Sequence, residues 1–124
     1  NNVISKCHSI TAIELQNLKN LNSLNFAEKL EHLNYLRLDT NKNIESYNPI
    51  LKSKSLKTIS TTSSRPIDKN INYLKNIENI FLGDSYSKNE IEDFITTFKG
   101  ETLWIWGKEL KGKFTIKNPF ELRN

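Results

Sequence analysis

The stretch LNYLRLDTN, residues 33–41, carries the clearest structural signal in this chain. Its apolar residues are Leu33, Leu36 and Leu38, and it ends on Asn41. Because Leu36 and Leu38 alternate with polar neighbours, the pattern predicts a short β-strand with one buried face and one face toward solvent. Leu33 is expected to bring the chain into this strand from the buried side.

The same pattern recurs along the chain at a nearly constant interval. The first apolar residues of the predicted strands are separated by 23, 23, 21 and 23 residues, and they are Ile13, Leu36, Ile59, Ile80 and Leu103. In the fifth copy, Gly100 stands where the leading apolar residue is expected. One such unit cannot bury its own apolar face. A fixed interval therefore predicts a stack of parallel strands with a shared core.

The segments between the strands are predicted to return the chain as helices. The strongest signal is the capping box Ser87-Lys88-Asn89-Glu90, followed by apolar residues at helical spacing, which are Ile91, Phe94, Ile95 and Phe98. A second helix is expected from Phe26 to Leu33. A third is expected after Pro66, with Ile67, Ile71 and Leu74 on its apolar side. A short fourth helix could run from Ile44 to Leu51, where Pro49 should limit it.

The repeated pattern resembles the leucine-rich-repeat family, whose units carry L-x-x-L-x-L-x-x-N. The resemblance covers about residues 10–107, although only residues 33–41 match every position, and the Asn is replaced by Leu18, Ser64 and Ser85. It implies an irregular α/β solenoid of about five short parallel strands with helical returns. We expect one domain over residues 1–124, with repeats at 9–107 and a C-terminal cap at 108–124. The alternative is a small α/β sandwich without true repeats.

The register also predicts which side chains form the solvent-facing side of the sheet. Residues that alternate with the core positions include both tryptophans and several charged and aromatic residues. The predicted partner-binding residues are Glu14, Tyr35, Arg37, Asp39, Phe81, Trp104 and Trp106. Exposed aromatic area of this kind usually marks a binding surface, and Trp, Tyr and Arg dominate interface hot spots. The alternative for Trp104 and Trp106 is that the segment from Phe114 to Phe120 covers them.

Composition argues against most kinds of chemistry. The chain has 124 residues and a net charge of +4, and its single cysteine, Cys7, excludes an internal disulfide framework. His8 and His32 lack neighbours at metal-ligand spacing, and no nucleophile or phosphate-binding motif is present. Glu90, Glu92 and Asp93 fall in the predicted first turn of a helix, where negative charge is favoured. We therefore expect no enzyme activity, no cofactor, no metal, no small-molecule substrate and no membrane span.

The expected function is non-catalytic binding of a protein partner. The chain is rich in Asn, Lys and Ile, a composition that suggests a bacterial source, and small bacterial solenoids of this type look like immunity proteins that neutralise a cognate toxin in the cytoplasm. One alternative is an adhesion or effector repeat domain, similar to internalin-type repeats, within a larger surface or secreted protein. A weaker alternative is nucleic-acid binding through two basic clusters, namely Lys52, Lys54 and Lys57, or Lys108, Lys111, Lys113 and Lys117.

Overall fold

A computed structural model describes residues 9–83 and 85–105 of the chain. Within these ranges the chain forms one sheet of five parallel strands, arranged in the order in which they occur along the chain. The strands are β1 (Ala12–Gln16), β2 (Tyr35–Asp39), β3 (Thr58–Thr62), β4 (Asn79–Leu82) and β5 (Thr102–Ile105). Helical segments lie between the strands, so the prediction of an α/β fold with parallel strands is confirmed.

The predicted strand register is confirmed residue by residue. Leu36 lies between Ile13 and Ile59 across the sheet, and the row continues through Ile80 to Leu103. These residues and those two positions later point into the core, where Leu36, Leu38 and their counterparts in the later strands are buried. The constant interval works because each return segment brings the next strand alongside the previous one with no shift in register.

Four helical segments connect the strands, and three of them are shorter than the sequence suggests. They are α1 (Phe26–Lys29), α2 (Asn48–Leu51), a 3-10 turn (Asn72–Leu74) and α3 (Lys88–Thr97). The helix α3 follows the prediction. The Ser87 hydroxyl accepts a hydrogen bond from the Glu90 N–H, and the Glu90 carboxylate accepts one from the Ser87 N–H.

The other helix predictions were wrong in length. Residues 26–33 were expected to form one helix, but the helix stops after Lys29 because Leu30 is extended, with φ −94° and ψ 96°. The expected helix after Pro66 is reduced to the 3-10 turn. In α2, Pro49 lies in the first turn, so it helps to start the helix rather than to limit it. In the first of these connections, the five residues between α1 and β2 turn the chain into the strand.

A buried asparagine links the first turns of the stack. The Asn41 side chain is fully buried; its Oδ1 accepts from the Leu18 N–H at 2.9 Å and its Nδ2 donates to the Leu15 carbonyl at 2.7 Å. The Asn41 N–H in turn donates to the Ser64 hydroxyl at 2.9 Å. Ser64 stands where the sequence pattern has its asparagine, and its hydroxyl still accepts one of these hydrogen bonds between neighbouring turns.

The missing apolar residue at Gly100 also has a structural explanation. A Cβ atom at this position would overlap the carbonyl oxygen of Ile77 and would lie 2.5 Å from Cζ of Phe98. The phenyl ring of Phe98 is buried and lies where a side chain at position 100 would lie. Phe98 therefore supplies the apolar group that the fifth copy of the pattern lacks.

Thr61 occupies a core position of β3 at which the other four strands carry Leu or Ile. It lies beside two buried tyrosines. Its hydroxyl lies 3.3 Å from the Tyr86 hydroxyl, and both Tyr86 and Tyr47 donate to the Ser64 carbonyl, at 2.9 and 3.3 Å. Burial raises the pKa of both phenols, and for Tyr47 the neighbouring Tyr86 adds to the rise. The phenols therefore stay neutral at physiological pH and satisfy a polar group inside the core.

Candidate protein-binding face

The sheet face opposite the core is the candidate site, and it is called the outer face below. It is formed by the residues that alternate with the core positions, which are Ala12, Glu14, Gln16, Tyr35, Arg37, Asp39, Thr58, Ser60, Thr62, Asn79, Phe81, Thr102 and Trp104. The structure places six of the seven predicted partner-binding residues on this face. The seventh, Trp106, lies outside the described residues, as does the predicted cap at 108–124.

One end of the outer face carries a small charge cluster. The register sets Glu14 directly opposite Arg37, and Asp39 lies two residues beyond Arg37 on the same side of β2. Arg37 Nη1 is 3.8 Å from Glu14 Oε1, and Arg37 Nη2 is 3.6 Å from Asp39 Oδ2. The guanidinium group therefore lies between two carboxylates, and the cluster has a net charge of −1.

The three charged side chains differ in their access to solvent. The Glu14 side chain is 64% exposed, whereas those of Arg37 and Asp39 are 22% and 20% exposed. Asp39 Oδ1 also accepts a hydrogen bond from the Thr40 hydroxyl at 3.0 Å. Both ion pairs are longer than a charge-assisted hydrogen bond, so they orient Arg37 more than they stabilise the fold. Glu14 is the most accessible charge of the cluster.

The middle of the outer face is polar and uncharged. Thr58 and Asn79 are paired across β3 and β4, and Asn79 Nδ2 donates to Thr58 Oγ1 at 3.3 Å. Ser60 is buried between Arg37 and Phe81, which are its neighbours in the same row. Tyr35 is half-buried and lies next to Thr58. The short side chains of Thr58 and Ser60 on β3 therefore lie between the larger Tyr35 on β2 and Phe81 on β4.

The other end of the outer face is aromatic, and here one prediction was wrong. Trp104 occupies the predicted row, but its side chain is 0% exposed rather than open to solvent. Its indole contacts the half-buried ring of Phe81, with ring centroids 5.7 Å apart and an interplanar angle of 48°. Burying an indole removes a large apolar area from water, which favours this arrangement over an exposed ring. Among the described residues at this end, Phe81 is the accessible aromatic group.

A second charged pair lies beyond the sheet, at the start of α3. Arg65 Nη2 donates to Glu90 Oε1 at 2.6 Å, and the same oxygen accepts from the Ser87 N–H. Burial alone would raise the pKa of Glu90, but the hydrogen bonds from Ser87 and the charge of Arg65 outweigh it, so the pKa lies below its usual value. Glu90 lies in the first helical turn as predicted, whereas its partner Arg65, 25 residues earlier in the chain, is not marked by any local sequence pattern.

The first basic cluster is interleaved with acidic residues. Lys52, Lys54 and Lys57 are all exposed. Lys52 and Lys54 line a groove between α1 and α2 together with Glu28 and Glu31. This mixture offers no continuous positive track of the kind that single-stranded nucleic acids follow. The second basic cluster, at residues 108–117, lies outside the described residues.

The described part of the chain has neither a metal-ligand cluster nor a membrane-spanning helix. Residues 9–83 and 85–105 contain no group of three or more His, Cys, Asp and Glu side chains arranged to hold a metal ion. None of the helices in these ranges has the length and apolar character needed to cross a bilayer. His32 is exposed beyond the end of α1, and His8 and Cys7 lie outside the described residues.

Comparison with protein-family models, with curated proteins and with solved structures finds no match to this chain.

Proposed function

We propose that this chain is a short leucine-rich-repeat-like solenoid that binds a protein partner through the outer face and has no catalytic role. Three features support the repeat architecture. The five strands are parallel and follow the order of the chain, equivalent residues recur every 21–23 positions in register, and Asn41 bonds the turn backbone of the preceding unit. In this proposal the outer face is the concave side of the solenoid.

The composition and rigidity of the outer face support the proposal that it binds a protein. Tyr35, Arg37, Asp39 and Phe81 are all half-buried and stand on paired strands whose backbone is fixed by the sheet. Side chains held in this way lose little conformational freedom when a partner binds. Tyr and Arg are also enriched in the residues that dominate binding energy. The face therefore combines anchors of the right type with a preorganised scaffold.

The more specific proposal is that the partner is a bacterial toxin and that this chain is its immunity protein, acting in the cytoplasm. The composition rich in Asn, Lys and Ile, which suggests a bacterial source, and the absence of a recognisable catalytic motif in the sequence support this version. An immunity protein needs only to cover a functional surface of its toxin, so a rigid binding face is sufficient. Protection would then depend on the same residues as binding.

Photo-crosslinking from the outer face tests the binding proposal. A photoreactive phenylalanine analogue placed at position 35 should capture one partner in cells of the source organism. The same analogue placed at position 51 should not, because Leu51 is exposed on α2, away from the outer face. With the captured partner purified, we expect Tyr35→Ala and Phe81→Ala each to weaken binding at least about tenfold, which is about 1.4 kcal/mol. Leu51→Ala should leave the affinity unchanged.

Two results separate the parts of this proposal. If positions 35 and 51 capture the same protein with equal yield, or if Tyr35→Ala and Phe81→Ala leave the affinity unchanged, the outer face is not the binding surface. For the immunity proposal, expression of the partner alone should stop bacterial growth, and co-expression of this chain should restore it. If the partner binds through the outer face but does not affect growth, the binding proposal stands and the immunity proposal is wrong.

A further inference from the structure

The core-facing side chains of β1 are only partly covered. Its only sheet neighbour among the described residues is β2, because β1 stands at the edge of the strand order. Ile13 and Leu15 occupy core positions, but both are only half-buried, whereas their partners Leu36 and Leu38 are fully buried. One end of the shared core is therefore only partly covered.

An apolar groove lies beside this edge. It runs along the end of β1 and the segment that follows it, and it is lined by Leu15, Leu18, Leu21 and Phe26 together with the polar residues around them. Leu18 is 42% exposed, and Leu21 and Phe26 are half-buried. An edge strand presents backbone groups that can pair with another strand. Here that edge adjoins apolar side chains, which favour an added strand with apolar residues of its own.

We propose that the outer edge of β1 binds an extended segment of a partner protein as an added parallel strand, in which a basic residue stands between two apolar residues. The backbone of the segment would pair with Ala12–Gln16. Its two apolar residues would cover Ile13 and Leu15, and its basic residue would lie beside Glu14 on the outer face. Recognition would therefore combine main-chain hydrogen bonds with side-chain contacts that alternate between the core side and the outer face.

The charge of the segment follows from the position of Glu14. In the sheet as described, the residue paired with Glu14 on its inner side is Arg37, whose Nη1 lies 3.8 Å from Glu14 Oε1. A residue added on the opposite side would stand one strand spacing, about 4.8 Å, from Glu14, so its side chain could reach the carboxylate. Opposite charges in such a pair are stabilising and like charges are destabilising. Because Glu14 is the most exposed charge of a cluster with net charge −1, a lysine or arginine is favoured in the added strand.

The same charge disfavours a second copy of this chain as the occupant. If β1 of two molecules paired antiparallel about a two-fold axis over the full length Ala12–Gln16, Glu14 of one molecule would face Glu14 of the other. Like charges directly opposite each other destabilise such a pair. A shifted register would relieve this repulsion only by leaving residues at the strand ends unpaired.

The inference does not require that the outer face binds a partner. The segment would pair with the backbone edge of β1, and its apolar residues would contact the core side of the sheet. Ala12, Glu14 and Gln16 of β1 belong to both surfaces, but Tyr35 and Phe81 lie one and three strands in from the edge, on β2 and β4. The two proposals can therefore fail separately, since the added strand would pair with the opposite side of β1 and Ile13 and Leu15 point away from the outer face.

The test uses the full chain, labelled with ¹⁵N, and a set of synthetic peptides of seven residues. The first peptide has valine at its third and fifth positions, lysine at its fourth and threonine elsewhere. The second has glutamate in place of lysine. A third is the lysine peptide with alternate backbone nitrogens methylated, which prevents strand pairing. Amide resonances are followed during titration up to about 2 mM peptide.

The lysine peptide is expected to shift the amide resonances of Ala12–Gln16 and to bind about three- to tenfold more tightly than the glutamate peptide. The methylated peptide should not bind. Glu14→Lys should reverse the preference between lysine and glutamate. Glu78→Lys, which changes an exposed glutamate outside the outer face, should leave it unchanged.

Several outcomes would overturn the proposal. They are the absence of shifts at β1 with any peptide, equal binding of the lysine and glutamate peptides, and undiminished binding of the methylated peptide. Absence of binding would mean that the edge of β1 is not open to a peptide. Shifts at β1 that depend on protein concentration without peptide would show that a second copy occupies the edge.

Discussion

Trp104→Ala should destabilise the protein by about 3–5 kcal/mol, as expected for truncation of a fully buried tryptophan. The Trp104 side chain is 0% exposed and contacts the ring of Phe81. Its removal would leave a cavity beside β5 and expose part of the Phe81 ring. Chemical denaturation followed by circular dichroism measures this free energy of unfolding directly.

Phe81→Ala is the matched control for Trp104→Ala. It removes the same aromatic contact, but Phe81 is only half-buried, so its loss should destabilise the protein by about 1–2 kcal/mol. A loss for Trp104→Ala no larger than that for Phe81→Ala would contradict the buried position of the indole. Trp104 would then return to the list of candidate partner-binding residues.

Asn41→Ala should destabilise the protein by about 2–4 kcal/mol. The buried amide satisfies the Leu18 N–H and the Leu15 carbonyl, both in the preceding unit. Alanine would leave these two backbone groups without their partner in a partly buried turn, and each unsatisfied group costs about 1–3 kcal/mol. The loss should appear as a lower denaturation midpoint with an unchanged slope, because the unfolded chain is nearly the same.

Asn43→Ala provides a control of the same residue type. The Asn43 side chain also donates to a backbone carbonyl of the preceding unit, that of Lys19, at 2.7 Å, but this hydrogen bond is exposed to solvent. Water can replace it, so the expected loss is below about 1 kcal/mol. Equal losses of stability for Asn41→Ala and Asn43→Ala would mean that burial of the Asn41 side chain does not add to the free energy of unfolding.

The sheet could be predicted from the sequence because two independent signals agree. Alternation of apolar and polar residues marks each strand, and the near-constant interval sets the pairing between strands. Together they predicted that Leu36 pairs with Ile13 and Ile59, as the structure has it. The helix α3 was also predictable, since Ser87 and Glu90 form a capping box whose two hydrogen bonds are local.

The short helices could not be predicted in the same way. An apolar spacing such as that of Phe26, Leu30 and Leu33 suits a helix, but Leu30 and Leu33 are also buried when the chain turns from α1 into β2. A helix over residues 26–33 would leave only Asn34 before β2 begins at Tyr35, whereas four residues separate the end of α3 from the start of β5. Local periodicity carries no information about this constraint.

The candidate site was only partly predictable for a related reason. The register shows which side chains share a face, and it placed Glu14, Arg37 and Phe81 in one row. It does not show what covers that face, so burial of Trp104 could be predicted only as the alternative to an exposed ring. The charge cluster follows from the register once Glu14 and Arg37 are paired. The buried contacts among Thr61, Tyr47 and Tyr86 join three separate segments and leave no local pattern.

The parallel register of the five strands underlies every assignment made for the outer face and for the edge of β1. Nuclear Overhauser effects between backbone protons of the full-length protein measure it directly. The account predicts amide-to-Hα contacts that link Glu14 with Arg37, Arg37 with Ser60 and Ser60 with Phe81, or their immediate neighbours. Strong Hα–Hα contacts between adjacent strands, which are typical of antiparallel pairing, or contacts shifted from this register by two or more residues would contradict it.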